Sequence, residues 1–328
     1  MRALTTSSQP VRKRAFLSRR FPDEVERRVA ERYDVARNAT DTILSIEELS
    51  RAAKGCDYLF ISAMENVNRV VFERLAPELK AVATLSVGFD HIDLAAAREH
   101  GVAVLYSPGV LSDACAEIAL MLLLNASRRG YEADTMVRTD TWPGYAPTQL
   151  MGVGLVGRRA GILGMGRIGQ AVAQRLRAFG VEIHYHNRSR LSSTDEAGAI
   201  FHTSAESLLA ISDFFLICAP STTGLAGFLT RERIEILPPR AIVVNISRGE
   251  SIQDDALIEA LQSGRVFAAG LDVFNNEPHI DPRYRKLPNV FLTPHIGSAT
   301  VDTRNAMGFI LLDGLTDLEE GRKAENLL

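Results

Sequence analysis

Short apolar runs alternate with amphipathic segments along the first third of the chain. The apolar runs predict strands over residues 14–18, 57–62, 81–87 and 102–106, and the segments between them predict helices over residues 23–33, 46–55, 67–75 and 93–100. Strands that alternate with helices in this way are typical of a parallel sheet with helical crossovers.

A second series follows an interruption at Ser107-Pro108-Gly109. A long helix is predicted from Ser112, a suitable N-cap, to about residue 129, and residues 130–157 indicate an irregular excursion. Strands are then predicted over residues 160–163, 181–187, 214–219, 241–246, 267–274 and 290–293, with helices between them and a last helix over 298–318. The pattern predicts an α/β fold with two domains built on parallel sheets.

Composition narrows the class of protein. A chain of 328 residues, at roughly 150 residues per domain, is long enough for about two domains. The formal net charge of −3 gives no reason to expect nucleic acid or an anionic membrane as a partner. The 3 cysteines are far apart and indicate a reducing compartment, and the longest apolar run, residues 118–124, is too short to span a bilayer.

The N-terminal segment, residues 1–22, is basic and has a slight resemblance to a transit peptide. The strand predicted at residues 14–18 leaves few residues for such a signal. We therefore expect a cytoplasmic protein.

A glycine-rich turn is the first candidate site. Residues 164–169, Gly-Met-Gly-Arg-Ile-Gly, match the pattern GxGxxG between a predicted strand and a predicted helix, as a dinucleotide-binding turn requires. Gly164 allows the tight turn, Gly166 lets the backbone approach a pyrophosphate, and Gly169 allows close packing of helix and strand. The amino end of the helix favours the anion.

The next strand ends at Asn187-Arg188-Ser189-Arg190, 23 residues after Gly164. An NAD site usually carries Asp or Glu here for the ribose 2′-hydroxyl, whereas Asn does not repel a 2′-phosphate. Arg188 can hold that phosphate with two hydrogen bonds, and Ser189 can donate a third. The sequence favours NADPH, with NADH the less favoured cofactor. His184 and His186 share one face of this strand, but no matching ligand completes a metal site, and we expect none.

Three polar residues follow successive predicted strands, namely Arg248, Glu277 and His295. Ligands of open α/β sheets lie at the carboxyl ends of the strands, so the three side chains should meet there. Arg248 suits a carboxylate and a polarised carbonyl, and His295 suits a proton donor because imidazole titrates near neutral pH. Glu277 would orient the imidazolium and keep it charged. Together, these three side chains suit the reduction of a 2-keto acid.

Five segments carry a family resemblance: residues 86–93 (SVGFDHID), 164–169 (GMGRIG), 245–249 (NISRG), 271–274 (LDVF) and 293–298 (TPHIGS). With them the chain resembles the D-isomer-specific 2-hydroxyacid dehydrogenase family over nearly its whole length. The resemblance implies two Rossmann-like or flavodoxin-like domains with the active site between them. The substrate-binding domain would comprise residues 1–107 and 296–328, and the dinucleotide-binding domain, residues 108–295, would be inserted in it.

The resemblance also implies the site residues. Arg248, Glu277 and His295 would be the catalytic set, and the backbone amides of Val87 and Gly88, with Arg248, would bind the substrate carboxylate. The cofactor would contact Gly164, Met165, Gly166, Arg167, Ile168, Gly169, Asn187, Arg188, Ser189, Ala219, Pro220, Ile246, Arg248, Asp272, His295 and Gly297. The family is usually dimeric, which implies a homodimer joined through an arm at about residues 111–150. Trp142 of that arm would reach toward the partner's site.

Asn187-Arg188-Ser189 is similar to the glyoxylate and hydroxypyruvate reductase branch, which implies NADPH-dependent reduction of small 2-keto acids to D-2-hydroxy acids. Two alternatives stay open. One is an NAD-dependent dehydrogenase of another D-2-hydroxy acid, such as D-lactate or 3-phosphoglycerate; a phosphorylated substrate would need basic residues that Met64-Glu65-Asn66 does not supply. The other is a non-enzymatic, dinucleotide-sensing scaffold similar to a transcriptional corepressor.

Overall fold

The computed structural model describes residues 12–220 and 224–328. The chain forms two compact units. Unit 1 comprises Met1–Val110 and Thr300–Leu328, and unit 2 comprises Leu111–Ala299. Unit 2 is thus inserted in the sequence of unit 1. Each unit is built on a parallel sheet flanked by helices, as the alternating pattern predicts.

Unit 1 has a five-stranded parallel sheet in the order β2-β1-β3-β4-β5. Its strands are β1 (Arg14–Leu17), β2 (Asp34–Arg37), β3 (Tyr58–Ile61), β4 (Ala81–Thr84) and β5 (Ala103–Leu105), and its helices are α1 (Asp23–Arg32), α2 (Ile46–Ala52), α3 (Arg69–Leu75), α4 (Leu94–Glu99) and α12 (Val301–Glu319). Side-chain caps start several of these helices; for example, Asn68 accepts the amides of Val70 and Val71, and Asp93 accepts the amide of Ala96.

Unit 2 has a seven-stranded parallel sheet in the order β12-β11-β10-β9-β6-β7-β8. Its strands are β6 (Arg159–Leu163), β7 (Glu182–His186), β8 (Ile200–Phe201), β9 (Phe214–Ile217), β10 (Ala241–Asn245), β11 (Val266–Leu271) and β12 (Val290–Leu292). Its helices are α5 (Ser112–Ser127), α6 (Gly130–Arg138), α7 (Arg167–Ala178), α8 (Ser193–Glu196), α9 (Ala205–Leu209), α10 (Arg231–Ile236) and α11 (Asp254–Ser263). The strand order reverses between β6 and β9, where open α/β sheets leave a ligand crevice.

Helix α5 packs closely on the sheet of unit 2. A Cβ at Gly270 of β11 would lie 2.7 Å from the Cβ of Leu122, so a glycine is needed where the helix crosses the strand. Leu122 and Leu123 are fully buried. This packing holds the central strands, and therefore their carboxyl ends, in fixed positions.

Four expectations about elements were wrong. Strands β2 and β8 were not predicted because both lie at sheet edges, are short and have few buried side chains, which leaves no apolar run. Helix α6 lies in the segment expected to be irregular; no residue of it is buried within the chain, so it has no core-facing pattern. Ser112 lies inside α5, whose N-cap is Leu111.

Within the described part of the chain, no helix combines the length and the apolar character that a bilayer span demands. Residues 1–11, half of the segment considered for targeting, lie outside the described residues.

Candidate active site

The glycine-rich turn joins β6 to α7 at the reversal point of the sheet. Gly164 has φ +94°, and a Cβ there would lie 2.5 Å from the backbone of Ala219, at the end of β9. A Cβ at Gly169 would lie 2.3 Å from the carbonyl oxygen of Gly164. A Cβ at Gly166 would meet no atom within 4 Å, which leaves open space at the amino end of α7.

Helix α7 begins without a side-chain cap, so its first amides are available to an anion. Arg167 and Ile168 open this helix, and Met165 is buried behind the turn. The residues present therefore fit a dinucleotide pyrophosphate.

The four residues after β7 have different roles. Asn187 accepts the amide of Met165 with its Oδ1 at 2.7 Å, which ties the end of β7 to the glycine turn. Arg190 donates to Glu196 at 2.7 Å and 3.1 Å and is committed to that ion pair. Arg188 and Ser189 are exposed, and among the described residues Arg188 forms no ion pair. The two arginines therefore differ. Glu196 neutralises the charge of Arg190, whereas no acidic side chain among the described residues neutralises that of Arg188.

The two histidines of β7 belong to a hydrogen-bonded cluster at the sheet edge. His184 Nδ1 lies 2.9 Å from Nε2 of His202, and His186 Nδ1 lies 2.8 Å from the carbonyl oxygen of His202. In residues 12–220 and 224–328, no group of three or more His, Cys, Asp or Glu side chains is arranged to hold a metal ion.

The turn after β10 carries Arg248. Asn245, fully buried, donates to the carbonyl of Arg248 at 2.9 Å and accepts the amide of Ser247 at 3.0 Å. A Cβ at Gly249 would lie 1.8 Å from the backbone of Phe274, so the turn packs directly on the loop after β11. Asn245 and Gly249 were not singled out from the sequence, although both lie in the segment NISRG. Arg248 itself donates to the carbonyl of Ser247 at 2.9 Å.

Glu277 and His295 form the centre of the site. Nδ1 of His295 lies 2.7 Å from Oε2 of Glu277, and Oε1 of Glu277 accepts the amide of Phe274 at 2.8 Å. The His295 side chain is 38% exposed and that of Glu277 is 18% exposed, so the ring has a half-buried partner on one side and is accessible on the other. His295 has φ +53° and Asn276 has φ +59°, a left-handed conformation that is uncommon outside glycine and often marks functional sites.

Asp272 fixes the loop that carries His295. Its carboxylate is 1% exposed and accepts the hydroxyl of Thr293 at 2.7 Å and the amides of Ile296 and Gly297 at 2.8 Å and 2.9 Å. The amide of His295 donates to the carbonyl of Asp272 at 2.8 Å. Asp272 therefore lies behind the loop that carries His295 and supports it.

The two carboxyl groups respond oppositely to their surroundings. Burial raises the pKa of Asp272 above its ordinary value, and its hydrogen bonds only partly oppose this. Burial also acts to raise the pKa of Glu277, but the hydrogen bond from His295, the charges of His295 and Arg248 and the Phe274 amide together lower it. Glu277 is therefore an anion at neutral pH and accepts a hydrogen bond from the ring beside it.

Other residues predicted at the cofactor site lie at the same edge of the sheet. Ala219, buried, and Pro220, exposed, follow β9; Ile246, half-buried, follows β10. Ser247 donates to the carbonyl of Ala219, which joins two of these strand ends. Unit 2 alone thus gathers a nucleotide-binding turn, an arginine and a histidine–carboxylate pair at the carboxyl ends of its parallel strands.

Unit 1 presents two loops at the carboxyl ends of β3 and β4. Val87 and Gly88 lie in the loop after β4, next to the buried Ser86. In the loop after β3, Glu65 is fully buried and accepts the amide and the hydroxyl of Ser62 at 2.8 Å and 2.6 Å. The sequence pattern singled out Glu65 only as part of Met64-Glu65-Asn66, a segment without basic residues, because its burial is not visible in the pattern.

A parallel sheet with a dinucleotide turn and an acid–base pair defines an NAD(P)-dependent oxidoreductase of the Rossmann type. Residues 120–297 match the family model described as D-isomer specific 2-hydroxyacid dehydrogenase, NAD binding domain. The chain belongs to this family.

Similar proteins are dehydrogenases and reductases. Glycerate dehydrogenase of Hyphomicrobium methylovorum is 41% identical over 298 residues, covering 90% of this chain and 92% of the relative. Glyoxylate reductase of Thermococcus litoralis is 35% identical over 319 residues, covering 96% of each chain. The structure of an NADPH-dependent glyoxylate/hydroxypyruvate reductase from Sinorhizobium meliloti, in complex with NADP and malonate, has a TM-score of 0.86 and 30% identity and covers 97% of each chain.

The replacement Glu277→Gln should lower kcat/KM for keto-acid reduction across the whole range from pH 5 to 9. Burial acts to raise the pKa of Glu277, but the hydrogen bond from His295 and the charges of His295 and Arg248 together lower it, so the wild-type carboxylate stays ionised and orients the ring throughout this range, whereas the amide is neutral at every pH. The check is the pH profile of kcat/KM for both proteins. A wild-type rate that falls to that of the variant near pH 5 would mean that Glu277 becomes protonated there, and equal rates at every pH would mean that Glu277 only supports the loop.

Proposed function

We propose that the protein reduces small 2-keto acids, glyoxylate or hydroxypyruvate, to D-2-hydroxy acids with NADPH. The observation that carries this proposal is the His295–Glu277 pair, with a 2.7 Å contact, at the sheet edge that also carries the glycine turn. A proton donor held beside a nucleotide site is what carbonyl reduction requires. Relatives named glyoxylate reductase and glycerate dehydrogenase support the substrate class.

Each residue of the site has a defined part in this reaction. The amides of Val87 and Gly88 and the guanidinium of Arg248 bind the carboxylate, and Arg248 also polarises the carbonyl. His295 protonates the carbonyl oxygen, and Glu277 orients the ring through the 2.7 Å contact. A bound reduced nicotinamide would supply the hydride. Asp272 keeps the His295 loop in place through its three hydrogen bonds.

The choice of NADPH rests on the loop after β7. Asn187 presents no carboxylate, Arg188 is exposed and unneutralised, and Ser189 is exposed beside it. A 2′-phosphate would gain a charge-assisted hydrogen bond from Arg188. The NADP complex of the Sinorhizobium meliloti relative is consistent with this choice.

The first experiment is steady-state reduction of glyoxylate and hydroxypyruvate, each with NADPH and with NADH. We expect turnover of both acids and a strong preference for NADPH. Turnover with a preference for NADH would overturn the cofactor assignment. No reduction of either acid, together with oxidation of D-lactate or 3-phosphoglycerate by NAD⁺ or NADP⁺, would overturn the substrate assignment. Binding of the cofactor without turnover of any 2-keto or 2-hydroxy acid would favour the dinucleotide-sensing scaffold.

The replacement Arg188→Ala should raise KM for NADPH by roughly tenfold or more, since it removes a charge-assisted hydrogen bond, and leave KM for NADH nearly unchanged. The matched control is Arg190→Ala, because Arg190 is already paired with Glu196. It should leave the ratio of the two KM values close to that of the wild type. Equal losses with both cofactors in Arg188→Ala would contradict the phosphate assignment.

We also propose that the protein is a homodimer joined through α5, α6 and the following arm. Six large apolar side chains are exposed on or near this arm: Tyr131, Val137, Trp142, Tyr145, Met151 and Val156. An open groove between α5 and α7, of about 570 Å³, is lined by Leu120, Met121, Leu124 and Phe179 among others. Apolar surface concentrated in this way is typical of an interface. In this dimer Trp142 would extend toward the partner's active site.

Sedimentation equilibrium should therefore give twice the chain mass of 36.0 kDa. The replacement Leu124→Arg, which places a charge in the groove, should shift the protein toward the monomer. The control Ile43→Arg changes an exposed apolar residue of unit 1 and should leave the dimer intact. A monomeric wild type at micromolar concentration would contradict this assembly.

A further inference from the structure

Three side chains of unit 1 form a continuous chain of hydrogen bonds behind the loop that follows β4. Oγ1 of Thr84 lies 3.1 Å from Nε2 of His91 and 2.7 Å from Oγ of Ser86. Oγ of Ser86 donates to the carbonyl oxygen of Gly88 at 2.6 Å. Thr84 is fully buried and Ser86 is 7% exposed, so bulk water competes little for these bonds.

Counting protons fixes the direction of every bond. A carbonyl oxygen only accepts, so the one hydroxyl proton of Ser86 goes to Gly88. The hydroxyl of Thr84 must then donate to Ser86. That leaves Nε2 of His91 as the donor to Thr84, and the ring must carry its proton on Nε2.

The chain of bonds restrains two peptide planes. The carbonyl of Gly88 accepts from Ser86, and the carbonyl of Ser86 accepts the amide of Ser107 at 2.9 Å. Peptide units are planar, so the Ser86 carbonyl fixes the plane of the Val87 amide. The plane of the Gly88 amide lies between the two restrained planes and is therefore also limited in rotation. The backbone amide of Ser107 thus restrains the Val87 amide, and the Ser86 side chain, through the Gly88 carbonyl, limits the rotation of the Gly88 amide.

We propose that His91, Thr84 and Ser86 are positioning residues that restrain the Gly88 carbonyl and so help to orient the amide of Gly88, next to that of Val87, toward a small carboxylate. The inference rests on the proposed function, which assigns the substrate carboxylate to these two amides. Preoriented donors bind an anion without reorganisation. The substrate carboxylate does not change during reduction. The chain of hydrogen bonds from His91 through Thr84 and Ser86 to Gly88, here called the relay, therefore stabilises the bound substrate and the transition state equally. Its loss should raise KM and leave kcat nearly unchanged.

The replacement Thr84→Val preserves the shape of the side chain and removes the central link. KM for glyoxylate and hydroxypyruvate should rise about tenfold, with kcat within about twofold and the Kd of NADPH unchanged, because binding of the substrate and of the transition state is weakened equally. Thr84→Ser keeps the hydroxyl and should restore KM. The matched control Thr316→Val, on α12 of the same unit, removes a hydroxyl bonded to the Leu312 carbonyl and should change neither constant.

A double mutant tests whether the hydroxyls act as one chain. Ser86→Ala alone should raise KM about as much as Thr84→Val, and the combined variant should raise it no further, because either change already breaks the chain. Additive losses, an unchanged KM in folded Thr84→Val, or no rescue by Thr84→Ser would each overturn the proposal.

Two measurements do not depend on turnover. Nitrogen-15 correlation spectra of the wild type should show a proton on Nε2 of His91, and a ring protonated on Nδ1 alone would overturn the relay. Titration of the NADPH-bound protein with oxamate, an unreactive analogue of glyoxylate, should give about a tenfold weaker Kd in Thr84→Val. If the wild type reduces no keto acid, the proposed function fails, while equal oxamate affinity of the two proteins would show separately that the relay has failed.

Discussion

The parallel direction of all strands within each sheet is the constraint on which the rest of the structure depends. Every strand of such a sheet ends at the same edge, so residues far apart in sequence meet there. In unit 2 the ends of β6, β9, β10, β11 and β12 supply the glycine turn, Ala219, Arg248, Glu277 and His295. The apolar strand interiors and the packing of α5 keep this edge rigid, and the loops beyond it are free to carry chemistry.

Buried polar groups transmit that rigidity from the sheet to the functional loops. Asn245 holds the turn of Arg248, Asp272 holds the loop of His295, and Glu65 holds the loop after β3. Each side chain is buried and satisfies backbone amides or carbonyls that the loop would otherwise leave unpaired. In unit 1, the hydrogen bonds of His91, Thr84 and Ser86 hold the loop after β4 in the same way. Loops at this edge are thus positioned by hydrogen bonds from behind.

Electrostatics then separates residues of one chemical type into different roles. Glu277 and Asp272 are both carboxylates close to His295, yet one faces the ring and is held ionised while the other is enclosed among amides. Arg188 and Arg190 are two residues apart, yet Glu196 neutralises only Arg190. In both pairs the partner, and not the residue type, decides which side chain is available to a ligand.

The sequence by itself determined the alternation of elements, the glycine turn and the positions of Arg248, Glu277 and His295 at strand ends, because periodicity and glycine requirements are local. It did not indicate β2, β8 or α6, which have too little buried surface to leave an apolar pattern. Only the tertiary structure decided which arginine is unneutralised, that Asp272 lies behind the His295 loop, and that Thr84, Ser86 and His91 form one chain. Those facts depend on contacts between residues that are distant in sequence or hidden behind a turn, and spacing along the chain does not record them.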